Sequence, residues 1–148
     1  MRILLDSNIL LRLCNPLDVL YAEAETAVKN LSNRHEEILI CPQNLIEFRA
    51  AATRPVAVNG LGYSSQQAEG VMAQFENEFP LLPDTPDIFP NWKSIVAQSQ
   101  VLGKHVHDAR LVAVAVSASV DAILTFNTAH FQRLCAANGL QLLDPRTV

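Results

Sequence analysis

Short apolar runs alternate with helix-patterned stretches along this chain, and no other feature narrows the fold as much. Arg2-Ile3-Leu4-Leu5, Glu37-Ile38-Leu39-Ile40-Cys41, Asp121-Ala122-Ile123-Leu124-Thr125-Phe126 and Leu140-Gln141-Leu142-Leu143 read as strands. The first hands over at once to a short helix through Asp6-Ser7-Asn8. After a turn at Asn15-Pro16, a helix from about Asp18 to Ser32 carries Leu20, Ala24, Ala27, Val28 and Leu31 on one apolar stripe. Further helices are expected from Pro42 to about Thr53, Ser64 to about Glu78, Asn91 to about Gly103, His107 to about Val120 and Asn127 to about Ala136. Pro42 suits a first turn, where its missing N–H costs nothing. Leu81-Leu82-Pro83-Asp84 is a candidate short strand, and Pro83, Pro86 and Pro90 mark a loop. Strands separated by helices predict a parallel sheet covered on both faces, an α/β fold of three layers, α/β/α. The 148 residues amount to one domain, 1–148, enough to bury roughly two-thirds of the unfolded surface in one core.

A hydrophobic fraction of 49% against 18% charged residues excludes a disordered chain. The net charge of −4 excludes nucleic-acid binding through a broad basic surface, so any such contact is local or mediated by cations. Cys14, Cys41 and Cys135 are odd in number, far apart and without a CxxC pair, as expected of small buried hydrophobes under reducing conditions. The first residues meet a carboxylate too soon for a signal peptide. The apolar stretch Leu111 to Val120 is too short to span a bilayer. The expected setting is soluble and cytoplasmic, without a membrane.

The topology has a chemical consequence. Asp6 and Asn127 each sit just past the carboxyl end of a strand, the edge where ligands collect in such sheets. Crossover helices run antiparallel to the strands, so their N-termini lie at that edge too. Asp108 opens the apolar helix near its start, and Glu47 lies about one turn inside the helix that begins near Pro42. Four distant positions should therefore converge at one mouth. Three carboxylates about 5 Å apart would repel by roughly 3 kcal/mol per pair at an effective dielectric near 20. Shared protons or a divalent cation relieve such a cluster. Oxygen ligands without a Cys or His set suit Mg²⁺ or Mn²⁺, which can polarise a phosphoryl oxygen and activate water for phosphodiester hydrolysis.

Taken singly, each residue has a plainer reading. Asp6, Ser7 and Asn127 are good helix caps, Asp108 a first-turn acid, and Glu47 a solvated helix residue. Independent caps need not all fall at one edge, however, and Glu47 is flanked by Leu45, Ile46 and Phe48. The ordered set of strand-Asp6-Ser7-Asn8, mid-helix Glu47, His107-Asp108-Ala109-Arg110 and Leu124-Thr125-Phe126-Asn127 resembles the PIN-domain nucleases over essentially the whole chain. Within them it most resembles the toxins of VapBC-type toxin–antitoxin pairs. That resemblance implies a Mg²⁺- or Mn²⁺-dependent ribonuclease in which activated water leaves 5′-phosphate and 3′-hydroxyl ends. It implies Asp6 and Asp108 as metal ligands, Glu47 as a residue that binds through a metal water or orients the nucleophile, and Ser7 as support. Asn127 stands where many relatives have Asp and others Asn; its missing charge tells against a second metal. The implied partners are an RNA substrate, an antitoxin that fills the acidic cleft and an adjacent apolar groove, and a second copy in a homodimer.

Other candidates are weaker. An aspartyl-phosphate enzyme would need a second Asp two residues after Asp6, where this chain has Asn8. A non-catalytic RNA- or protein-binding module, its metal site weakened at Asn127, is the remaining alternative. His105 and His107 lack partners at zinc-finger or HExxH spacing and read as surface or helix-start histidines. Arg49, Arg54, Lys104, Arg110 and Arg133 could meet RNA phosphates, although Arg110 could equally pair with a carboxylate. Trp92, Phe75 and Phe79 fall on apolar stripes and read as core.

Overall fold

The computed structural model describes all of residues 1–148. In chain order its elements are β1 (Arg2–Leu5), α1 (Ser7–Leu13), α2 (Tyr21–Asn33), β2 (Glu37–Leu39), α3 (Pro42–Thr53) and α4 (Ser65–Glu78). Then follow α5 (Ile88–Gln98), α6 (His105–Ser117), β3 (Ala122–Leu124), α7 (Thr128–Ala137) and β4 (Gln141–Leu143). The sheet order is β2-β1-β3-β4, parallel throughout.

Alternation along the strands feeds two cores. Ile3, Leu5, Ile38, Ala122 and Leu124 point to one face, where they meet Ile9, Leu10, Ala27, Leu31, Phe48 and Phe75 of α1 to α4. Leu4, Leu39 and Ile123 point to the other, against Ile95 of α5, Leu111 to Ala115 of α6 and Phe131 and Leu134 of α7. The three-layer α/β/α expectation holds. Helix α6 is apolar on most sides because α5 and α7 pack on it as well as the sheet.

Several boundaries move, for local reasons. Asp18 and its neighbours form a turn, not helix, because the Asp18 carboxylate accepts the Leu20 N–H. Leu81 contributes only one bridge, to Ile40, so the expected fifth strand is a single pairing. Pro90, expected in a loop, sits in the first turn of α5, where helix N–H groups have no intrahelical acceptor to lose. Helix α6 begins at His105, two residues earlier than its apolar pattern suggests.

The strand order places the reversal in connectivity between β1 and β3. From β1 the chain moves outward to β2, then crosses back to β3 on the other side of β1. At such a switch point the connections leave in opposite directions and open a crevice at the carboxyl ends of the strands. Asp6 follows β1 and Thr125 follows β3 at that crevice, where the Asp6 N–H donates to the Leu124 carbonyl at 3.0 Å.

Candidate active site

Asp6 occupies the N-cap position of α1 but does not cap it, since its carboxylate accepts no backbone N–H of the helix. Instead Oδ2 accepts the Thr125 hydroxyl at 2.7 Å and the Asn8 amide at 2.8 Å, while Oδ1 lies 3.2 Å from the Ser7 hydroxyl. The residue is only 6% exposed. Burial pushes its carboxyl above the ordinary 3.8, and the charges of Glu47 and Asp108 push the same way, against the hydrogen bonds from Thr125 and Ser7. The helix-cap explanation of Asp6 therefore fails, and what replaces it is a buried acid among acids.

Glu47 reaches the same place from α3. Its Oε2 accepts the Ser7 hydroxyl at 2.6 Å and its Oε1 accepts the Gln43 amide at 2.9 Å. Ser7 thus stands between the two carboxylates. Gln43 is one helical turn before Glu47, so both project from one face of α3. The Gln43 amide also donates to the His107 carbonyl at 2.8 Å, and its carbonyl accepts from Arg110 at 3.1 Å. Arg110 in turn contacts Asp84 at 3.2 Å, so it meets a carboxylate and braces Gln43. Asn44, fully buried, sews α3 to β1: its carbonyl accepts the Cys41 N–H and its amide donates to the Leu5 carbonyl, both at 2.8 Å.

Asp108, on the first turn of α6, completes the acidic group. Its Oδ2 lies 3.1 Å from His105 Nδ1 and 3.8 Å from His130 Nδ1. Asn127 is placed differently from the expectation. Its backbone N–H donates to the Thr125 hydroxyl at 2.9 Å, but its side chain is exposed, makes no cap bond and hydrogen-bonds to none of the acids.

The residues missing from the sequence-based reading are Thr125, Asn8, Gln43 and His130. Thr125 is fully buried and its hydroxyl links Asp6, Asn8 and Asn127. Its place at the end of a strand beside β1 was the available signal. Gln43 had the turn-before-Glu47 spacing. His130 had none, since its position depends on how α7 packs on α6.

No Lys or Arg forms an ion pair with Asp6, Glu47 or Asp108. Three carboxylates at one crevice, one of them deeply buried, have no Lys or Arg to balance them. That hard-oxygen donor set fits a divalent ion such as Mg²⁺ or Mn²⁺.

Among solved structures, the fold is similar to VapBC2 from Rickettsia felis bound to a DNA fragment from its promoter (TM-score 0.72, 15% identity, covering 97% of this chain and 98% of that one). It is also similar to FitAcB from Neisseria gonorrhoeae (0.69, 16%, 99% and 99%). A third likeness is to VapBC-5, of the VapBC family of toxin–antitoxin systems, from Mycobacterium tuberculosis (0.60, 16%, 97% and 99%). At these identities the likeness is one of fold. No curated protein matches the sequence. The PIN domain family model matches residues 3–137, and the chain therefore belongs to the PIN domain family.

Proposed function

We propose that this protein is a Mg²⁺- or Mn²⁺-dependent ribonuclease that hydrolyses RNA phosphodiester bonds with water, leaving 5′-phosphate and 3′-hydroxyl ends. The observation that carries the reading is the meeting of Asp6, Glu47 and Asp108 at the switch-point crevice with no Lys or Arg to neutralise them. Asp6 and Asp108 are the residues that would hold the ion. Such an ion, when bound, supplies charge for the phosphoryl oxygens and lowers the pKa of water. The chain's own residues do the positioning. Thr125 and Asn8 fix Asp6 through Oδ2, which leaves Oδ1 turned toward Ser7, the residue that also bonds Glu47. Ser7 and Gln43 hold both oxygens of Glu47, which orients the attacking water. Asn127, exposed at the rim, holds a water or meets substrate without adding charge.

The toxin role and an antitoxin partner are supported by the shared fold with VapBC assemblies. A groove of about 410 Å³ lined by Leu13, Tyr21, Val28, Val71 and Phe75 would receive an apolar segment of such a partner. A homodimer belongs to the same proposal. No helix is long and apolar enough to cross a membrane, in keeping with the proposed cytoplasmic setting.

The test is cleavage of single-stranded RNA in Mg²⁺ or Mn²⁺ by wild type, Asp6→Asn and Asp108→Asn, with circular dichroism to verify folding. Wild-type cleavage, lost by a factor of about 100 or more in both folded variants, supports the reading. An inert wild type would favour a non-catalytic binding module, and active variants would remove these acids from the chemistry.

A further inference from the structure

Asp108 faces two imidazoles that the acidic group does not use. His105 and Asp108 are an i,i+3 pair on the first turn of α6, with Nδ1 and Oδ2 3.1 Å apart. His130 comes from the first turn of α7, 3.8 Å from the same Oδ2. The two rings meet edge to face with centroids 4.7 Å apart, and one ligand atom from each of the three residues lies within 4.8 Å of the others. All three are partly open to solvent. The two histidines border a cleft of about 360 Å³ that Val101, Leu102 and Arg133 also line.

The geometry points to a second divalent-cation site, formed by His105, Asp108 and His130, that takes a borderline transition ion such as Zn²⁺ or Co²⁺. Two imidazole nitrogens and one carboxylate oxygen are a common three-ligand set for such ions, and imidazole suits them better than Mg²⁺. Donors about 2.1 Å from one tetrahedral ion lie roughly 3.4 Å apart, between the two distances to Asp108 Oδ2. Neither histidine is buried, so side-chain rotation can close the remaining gap. The cleft leaves the fourth position open to water or to an anion near Arg133. Asp108 is shared with the acidic group, but its Oδ1 is left free. The inference does not depend on the nuclease reading.

The experiment is titration of the untagged full-length protein with Co²⁺, followed by visible absorption, which reports the ligand field without RNA present. Wild type is expected to bind one Co²⁺ with an imidazole-type spectrum that Zn²⁺ displaces and millimolar Mg²⁺ does not. His105→Ala and His130→Ala should each weaken binding about ten-fold or more, while His107→Ala, exposed and outside the cluster, should match wild type. Unchanged affinity in both folded histidine variants, or no Co²⁺ spectrum in wild type, would overturn the site. So would an Asp6→Asn variant that alone abolishes it, because the ion would then sit among the acids. Failure of RNA cleavage would leave these outcomes unaffected.

Discussion

Asp6 is held in a conflict between burial and charge. Its folded carboxyl lies above the ordinary 3.8, first through desolvation and then through Glu47 and Asp108. A group of that kind binds its proton more tightly folded than unfolded, so the ionised form costs stability. The cost is absent below the unfolded value and grows as pH rises through the folded one. Asp6→Asn should therefore raise the Tm of the metal-free protein at pH 7. Thermal melts from pH 7 down should show that gain fading toward pH 4; a loss of stability at pH 7 would contradict it. The neighbouring Thr125 gives a second prediction. Thr125→Val removes a donor to Asp6 and the acceptor of the Asn127 N–H, which should cost about 1–3 kcal/mol and most of the activity. Thr125→Ser keeps the hydroxyl and should keep activity within a few-fold. Equal activity in the two variants would make Thr125 mere packing.

At the scale of elements, the site depends on α3 being fixed to the end of β1. Fully buried Asn44 makes that link through the Leu5 carbonyl and also closes the start of α3 through the Cys41 N–H, so Asn44→Ala strands both groups. Chemical denaturation should record a loss of about 2–4 kcal/mol, because two buried groups lose partners at once. A loss under about 0.5 kcal/mol would mean that α3 is held by its apolar face alone. The same helix shows what was legible in the sequence. Pro42 marked its start, and Leu45 and Phe48 flanking Glu47 argued against a plain surface position. Ile46, however, is exposed, so that flank was less apolar in space than in sequence. Strand ends and helix starts follow from local pattern, and they were enough to bring Asp6, Glu47 and Asp108 to one edge. The side-chain details were not, because they depend on packing between elements. Asn127 turns outward while Thr125 turns in, and His130 meets Asp108 only because α7 lies against α6.

For the whole molecule, the parallel sheet with strand order β2-β1-β3-β4 makes one crevice, and the net charge of −4 makes it a poor one for RNA on its own. For the proposed ribonuclease, RNA affinity should therefore depend on the divalent ion more than on the protein's own cations. With Glu47→Gln to suppress cleavage, chelation should weaken RNA binding about ten-fold or more, near 1.4 kcal/mol. The salt dependence should be shallow, since few phosphates are neutralised by Lys or Arg. A steep salt slope that persists after chelation would indicate a basic interface instead. The convergence of the acids on an ion is tested most directly by calorimetric titration of Mg²⁺ into wild type and Asp6→Asn without RNA. Uptake by wild type that disappears in the more stable variant is the predicted result. Equal uptake by both proteins, or none by wild type at millimolar Mg²⁺, would contradict it.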